Sequence, residues 1–200
     1  MFCSHPFTFF KELINVPLGE PLEHFWNTKD CLMRRLVLSF ILLSTFYLNA
    51  QKTAGCNCCS NDQKAFDFWV GEWTVTNFAD GTPAGKSSIN REENGCVIRE
   101  NWVSANPGYT GTSINFFNIA DQQWEQLWVD NTGTHLKLKG NKVGNQMILT
   151  SEEFMKDDGK MYRNRITWTA NDDGTVRQLW EVLQGDEVVS TAFDGLYRKN

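Results

Sequence analysis

The side chains best suited to recognising a small molecule lie on alternate positions of short segments, where tryptophans are interleaved with polar residues. One phase of this alternation contains Glu100, Trp102, Gln126, Trp128, Trp168, Gln178 and Trp180. The opposite phase carries long charged side chains such as Arg99, Glu125 and Arg177, which prefer solvent. We therefore expect the tryptophan phase to face an interior. Aromatic walls with a few polar groups are typical of ligand pockets, so these residues are predicted to bind a small apolar or aromatic molecule.

The same pattern allows a second interpretation, in which the interior is filled. Inward Gln and Asn side chains can hydrogen-bond to one another or to buried water while the aromatic rings pack against each other. The protein would then be a structural or interaction module of the cell envelope. The volume of the interior cavity distinguishes the two interpretations.

Catalysis is a third hypothesis, and it depends on one acidic side chain. Glu100 would have a raised pKa if it were buried among tryptophans, and Asp130 could supply a second carboxyl group for a hydrolase or isomerase. Nothing in the sequence brings these two carboxyl groups together, and H-E-x-x-H, G-x-S-x-G and phosphate-binding glycine loops are absent. We therefore assign no catalytic residue.

The cysteines after residue 50 indicate disulfides. They are Cys56, Cys58, Cys59 and Cys96, an even number, which fits an oxidising compartment. We expect Cys58 or Cys59 to pair with Cys96, and we assign the bridge to Cys59 and Cys96. The three closely spaced cysteines could instead hold a metal ion, but zinc sites use separated pairs, so no metal is predicted.

Residues 33–50 have the layout of a secretory signal peptide. Met33-Arg34-Arg35 precedes an apolar run from Leu36 to Leu48, and Ala50 is a small residue at a suitable cleavage position. The run is shorter than the roughly 20 residues that a membrane span needs. We predict a secreted or periplasmic protein, with a lipid anchor at Cys56 as the alternative. Residues 1–32 would be an upstream extension, with Met33 as an alternative start.

The elements that position the candidate residues are short strands separated by turn residues. They are predicted at 66–78, 86–93, 96–105, 112–119, 123–130, 135–139, 146–154, 162–169, 176–183 and 188–198. Connections such as Asn94-Gly95 are of hairpin length. This pattern predicts an all-β fold, an antiparallel up-and-down β-barrel of about ten strands. The barrel domain would span residues 66–200, after a cysteine-containing lead at 51–65.

Composition excludes two classes of protein. Aromatic residues make up 13% of the chain, which is too much apolar surface for a disordered protein. The formal net charge of -5 lacks the basic character of a nucleic-acid-binding domain, so no nucleic-acid partner is expected.

The segments FDFWVGEW, GCVIRENW, WEQLWVDNTG, NRITWT, VRQLWE and FDGLYR resemble an uncharacterised family of secreted bacterial proteins with a lipocalin-like (calycin-like) barrel. The resemblance covers most of the chain from Cys59 to Arg198, and it implies the barrel fold without a known activity. It also implies structural roles for Gly71, Trp73 and Arg198, with Trp73 closing the barrel base and Arg198 packing over its ring. Related barrels bind haem through one histidine, so His135 is an alternative haem ligand, although no cofactor is predicted.

Overall fold

The computed structural model describes residues 56–200, so the predicted extension (1–32) and signal peptide (33–50) lie outside the described residues. The strands are β1 (Gly71–Asn77), β2 (Pro83–Glu92), β3 (Val97–Ser104), β4 (Thr110–Asn118), β5 (Gln123–Asp130), β6 (His135–Val143), β7 (Gln146–Thr150), β8 (Phe154–Met155), β9 (Met161–Ala170), β10 (Val176–Gln184) and β11 (Glu187–Lys199). The helical elements of this part of the chain are the short 3-10 turns Asp67–Trp69 and Glu93–Gly95.

The strands form one antiparallel sheet that closes on itself. Their order is β10-β11-β1-β2-β3-β4-β5-β6-β7-β9-β8, and β9 also pairs with β10, which completes the ring. The two-residue β8 runs beside β9 beyond the end of β7. The wall is therefore a closed, lipocalin-like up-and-down barrel, and the fold class predicted from the alternation is confirmed.

Side chains alternate between the interior and the surface along the wall. Trp73 and Val75 on β1, Ile89 on β2 and Ile98 on β3 are almost fully buried. The outer face carries ion pairs such as Arg165 with Glu181 and Arg177 with Asp194. Because successive residues of a strand point to opposite faces, this burial pattern fixes which residues can reach the barrel interior.

The two ends of the barrel differ. The turns at 78–82, 105–109, 131–134 and 185–186 lie at one end, which we call the open end. The turns at 93–96, 119–122, 144–145 and 171–175 lie at the other, the closed end. At the closed end, Phe66 and Trp69 are fully buried and their rings stack with centroids 4.9 Å apart. The indole N–H of Trp124 donates to the carbonyl of Asp62 at 2.9 Å, so the segment before β1 plugs this end.

The first predicted strand, 66–78, begins too early. Residues Asp67–Trp69 form a 3-10 turn, and β1 begins at Gly71. Phe66 and Trp69 are three residues apart and both buried, which suits one side of a helical turn and contradicts the two-residue period of a strand. The prediction for 146–154 is also wrong in part, because the strand ends at Thr150. Ser151 Oγ there accepts a hydrogen bond from the Asn164 backbone N–H at 2.9 Å.

The expectation that Cys58 or Cys59 pairs with Cys96 is confirmed for Cys58, and the assignment of the bridge to Cys59 and Cys96 is wrong. Cys58 pairs with Cys96, with Cα atoms 5.0 Å apart, and Cys59 pairs with Cys56. The bridge to Cys96 joins the lead to the closed-end turn between β2 and β3. All four sulfur atoms belong to these two disulfides, so none of them is available as a zinc thiolate. For the same reason, Cys56 has no free thiol that could carry a lipid anchor. Residues 56–200 contain no cluster of three or more His, Cys, Asp or Glu side chains that could hold a metal ion.

The base of the barrel differs from the arrangement that the resemblance implies. Trp73 is fully buried, and its indole N–H donates to the Trp69 carbonyl at 2.9 Å. Arg198 does not pack over Trp73, because it points outward, is exposed, and donates to Thr76 Oγ1 at 3.2 Å. The next residue, Lys199, places its Nζ 5.2 Å from the centroid of the Trp73 ring. The cation over Trp73 is therefore a lysine one position later, on the opposite phase of β11.

Among residues 56–200, the structure contains no helix long and apolar enough to cross a membrane.

Candidate functional site: an aromatic cavity at the open end

A cavity of about 520 Å³ occupies the half of the barrel toward the open end. Its inner wall includes the buried residues Ile166 and Trp168, and its outer lining includes Thr82, Asn106 and Ala192, which are exposed. The cavity therefore extends from the core to the solvent between the open-end turns. Its volume lies within the range of small-molecule sites.

Every residue predicted to bind a ligand lines this cavity. They are Glu100, Trp102, Gln126, Trp128, Trp168, Gln178 and Trp180, which β3, β5, β9 and β10 contribute. The structure thus brings the predicted set together. The binding role of these residues stays a prediction.

The rings of two cavity tryptophans have room inside the barrel because a glycine lies next to each of them. Gly85 pairs with Ser104 beside Trp102, and a Cβ at Gly85 would lie 2.6 Å from Trp102 Cζ2. Gly111 has no room for a Cβ, because that atom would overlap the six-membered ring of Trp128. These glycines let the indoles lie flat against the neighbouring strand, and this leaves the centre of the barrel open.

A hydrogen-bond network connects two polar residues of the cavity, Glu100, which is 4% exposed, and Gln126. One carboxylate oxygen accepts from Ser87 Oγ at 2.9 Å, and the other accepts from Ser113 Oγ at 3.1 Å. Asn115 donates to Ser113 Oγ at 2.9 Å, and Gln126 Nε2 donates to Asn115 Oδ1 at 2.7 Å. The network therefore runs across the four neighbouring strands β2 to β5 and fixes both Glu100 and Gln126.

The electrostatics of the cavity are set by Glu100. Burial raises the pKa of its carboxyl group to about 7, although the two serine hydrogen bonds act in the opposite direction. Among residues 56–200, no Lys, Arg or His lines the cavity, and Glu100 is the one acidic residue beside the aromatic rings of its wall.

A second polar pair lies on β10 and β11. The Tyr197 hydroxyl donates to Gln178 Oε1 at 2.6 Å. Burial, with a smaller contribution from the charge of Glu100, raises the pKa of Tyr197 well above its usual value, so the phenol stays neutral. This pair holds the Gln178 amide in one orientation at the cavity wall.

Several lining residues were not predicted from the sequence. Phe193 and Tyr197 are on β11, with Trp102 packed edge-on against Phe193 at a centroid separation of 5.9 Å. They share one phase of the strand, and this alternation could have identified them. Tyr109 also lines the cavity, but it lies at a turn, where there is no period to read.

The other candidate residues lie elsewhere. Asp130 accepts hydrogen bonds from Thr132 in its turn and from the Tyr109 hydroxyl at 3.1 Å, and it is not part of the cavity lining. Glu100 and Asp130 therefore do not form a carboxyl pair within the cavity. His135 is exposed on the outer face of β6, so it cannot ligate a haem held inside the barrel.

The chain matches no protein-family model and no curated protein.

Proposed function

We propose that this protein binds a small apolar or aromatic molecule inside the barrel and that it works as a secreted or periplasmic protein. One observation carries the proposal: a cavity of about 520 Å³, open to solvent, is lined by aromatic rings together with polar side chains, of which Glu100, Gln126 and Gln178 are fixed by hydrogen bonds. The disulfides support an oxidising compartment. We also propose that the protein belongs to the secreted lipocalin-like family, as the FDFWVGEW motif indicates.

A filled barrel in a structural or interaction module is less consistent with this cavity. A packed core has few voids larger than a water molecule, and the volume of the cavity in this barrel is many times larger than such a void.

Fluorescence of N-phenyl-1-naphthylamine, an apolar aromatic probe, tests the proposal. We expect saturable enhancement with one site per chain, and native mass spectrometry of protein purified from its host should show a retained small molecule. Ala192→Trp places a large ring at the cavity mouth and should weaken probe binding. Ala120→Trp makes the same change at an exposed closed-end turn and is the matched control. Equal binding by both variants, or no saturable binding by the native protein, would contradict the proposal.

A hydrolase or isomerase is the second candidate, and the raised pKa of Glu100 favours it. A carboxyl group with a pKa of about 7 can exchange protons at neutral pH. The test is to incubate the protein with a small-molecule extract of its host and follow consumption by mass spectrometry. Consumption that Glu100→Gln abolishes would support an enzyme, and unchanged consumption would remove its candidate residue.

A further inference from the structure

We propose that the ligand is an organic cation, with an aromatic or apolar body and a protonated nitrogen that pairs with Glu100. This inference rests on the proposed binding function and specifies the chemical class of the ligand. It is argued from the charge of the cavity, its hydrogen-bond acceptors and its aromatic walls.

The charge of the cavity is uncompensated. Glu100 is 4% exposed, and its carboxylate accepts hydrogen bonds from two neutral hydroxyl groups, those of Ser87 and Ser113. Within the described part of the chain, residues 56–200, no cationic residue lines the cavity. An ionised carboxylate held away from water is costly without a counter-charge. A protonated nitrogen on the ligand would supply that counter-charge at the place where the protein does not.

The acceptors of Glu100 and Gln126 also suit a ligand that donates hydrogen bonds. Gln126 donates its amide N–H to Asn115 Oδ1, and within residues 56–200 no protein donor reaches its carbonyl oxygen. Glu100 and Gln126 therefore both offer acceptors. An ammonium group carries donors and no acceptor, which matches this arrangement. A carboxylate ligand such as a fatty acid would instead meet like charge at Glu100.

The aromatic walls favour the same class of ligand. Trp102, Trp128 and Trp168 line the cavity together with Trp180. The indole N–H of Trp180 is already donated to Asn164 Oδ1 at 2.7 Å, so this residue offers the ligand its ring. The face of an indole ring attracts cations, most strongly where water is excluded. A buried carboxylate among indole rings is thus doubly complementary to an aromatic amine.

Two probes of nearly equal shape separate charge from shape. They are 1-naphthylmethylamine, which is protonated at about pH 8, and 1-naphthalenemethanol, which is neutral. Their dissociation constants would be measured by titration calorimetry with the disulfide-bonded protein. We expect the amine to bind at least about tenfold more tightly than the alcohol, since hydrogen bonds to charged groups contribute on this scale.

Glu100→Gln should remove the preference for the amine while the alcohol still binds. Glu93→Gln is the matched control, because it changes the net charge equally at an exposed position of the closed-end turn. It should leave the preference intact. A native protein that binds the alcohol as tightly as the amine would overturn the inference, and so would a preference that survives Glu100→Gln. If neither probe binds, the proposed binding function fails with it.

If Glu100→Gln does not fold, the pH dependence of binding by the native protein tests the same pairing. Lowering the pH from about 8 to about 6 protonates Glu100 while the amine stays charged, so the preference for the amine should decline. Among residues 56–200, the other titratable groups that line the cavity are Tyr197 and Tyr109, whose raised pKa values keep them neutral over this range. A preference that does not change with pH would contradict the pairing with Glu100.

Discussion

At the scale of single residues, Glu100 is an acid placed where its charged form is unfavourable. Its pKa rises from 4.5 to about 7 on burial, so the folded protein holds this proton more tightly than the unfolded chain. The contribution of Glu100 to stability is therefore most favourable below about pH 4.5 and declines as the pH rises through about 7. A role in ligand binding would explain why the protein keeps a buried acid that lowers its stability at neutral pH.

We predict that Glu100→Gln is more stable than the native protein at about pH 8 and similar to it at about pH 5. The gain should be about 3 kcal/mol, because each unit of pKa shift corresponds to about 1.4 kcal/mol. Urea unfolding at both pH values, with the disulfides intact, measures it. The same pH dependence in Glu100→Gln and the native protein would show that Glu100 does not determine it.

A second prediction concerns the glycine behind a cavity tryptophan. In Gly111→Ala the new methyl group overlaps the Trp128 ring, so the indole must move into the cavity. We expect a loss of about 1–3 kcal/mol of stability, as in other overpacked cores, together with weaker binding of N-phenyl-1-naphthylamine. Adding Trp128→Phe to Gly111→Ala removes the outer ring and should restore much of the stability. No recovery in the double variant would mean that the clash lies elsewhere.

The sequence predicts some of these residues well and others poorly, for a physical reason. Large inward side chains such as Trp102 and Gln126 stand out against charged neighbours, so alternation identifies them. The partners of Glu100 are Ser87 and Ser113, and a serine suits either face of a sheet, so it carries no such signal. The network that fixes the acid therefore becomes visible only when the strand register is known.

At the scale of elements, one arginine helps to attach the segment before β1, in addition to the Cys58–Cys96 disulfide. Arg91 on β2 pairs with Asp67 and donates to the carbonyl groups of Gln63, at 2.9 Å, and Gly95. One side chain thus joins the plug, the end of β2 and the closed-end turn.

We predict that Arg91→Ala lowers the free energy of unfolding by about 2–3 kcal/mol, because it leaves several partly buried acceptors without a charged donor. Arg99→Ala is the matched control, since Arg99 makes a half-exposed pair with Glu92 and should matter by less than about 1 kcal/mol. Denaturant unfolding compares the two. Equal effects would show that the plug does not depend on Arg91.

Strand prediction fails where contacts between residues distant in the sequence change the local structure. Ser151 ends β7 by accepting a backbone hydrogen bond from Asn164 with its hydroxyl, a contact that depends on a residue thirteen positions away. Phe66 and Trp69 have the composition of a strand, yet they fold back as a turn because both can be buried against Trp168. In both places tertiary contacts override the local pattern.

At the scale of the whole molecule, the up-and-down order follows from the short connections, and the sequence is sufficient to predict it. The volume of the interior is different, because it is the small difference between the space inside the wall and the volume of the inward side chains. Gly85, Gly111 and the flat placement of the indoles determine that difference, and a residue pattern does not encode it.

The two disulfides are expected to differ in their effect on the whole fold. Cys58–Cys96 has a sequence separation of 38, and Cys56–Cys59 one of 3. On the chain-entropy model the first contributes about 4 kcal/mol and the second about 2 kcal/mol. Unfolding of Cys58→Ser/Cys96→Ser and Cys56→Ser/Cys59→Ser would measure the ranking, and peptide mapping would verify each remaining bridge. A reversed ranking, or a bridge found between Cys59 and Cys96, would contradict the structure.

The closure of the barrel has a kinetic consequence. All ladders but one join strands that follow one another closely along the chain, whereas β1 and β11 are brought together from opposite ends of the domain, with Trp73 opposite Lys199. A hairpin forms early in folding because its loop is short. The pairing of β1 with β11 must close a loop that contains most of the domain, so we expect it to form late in folding. Substitutions that weaken the contacts between β1 and β11 should therefore accelerate unfolding and leave the rate of folding nearly unchanged. We therefore expect the β1–β11 ladder to determine the lifetime of the folded barrel.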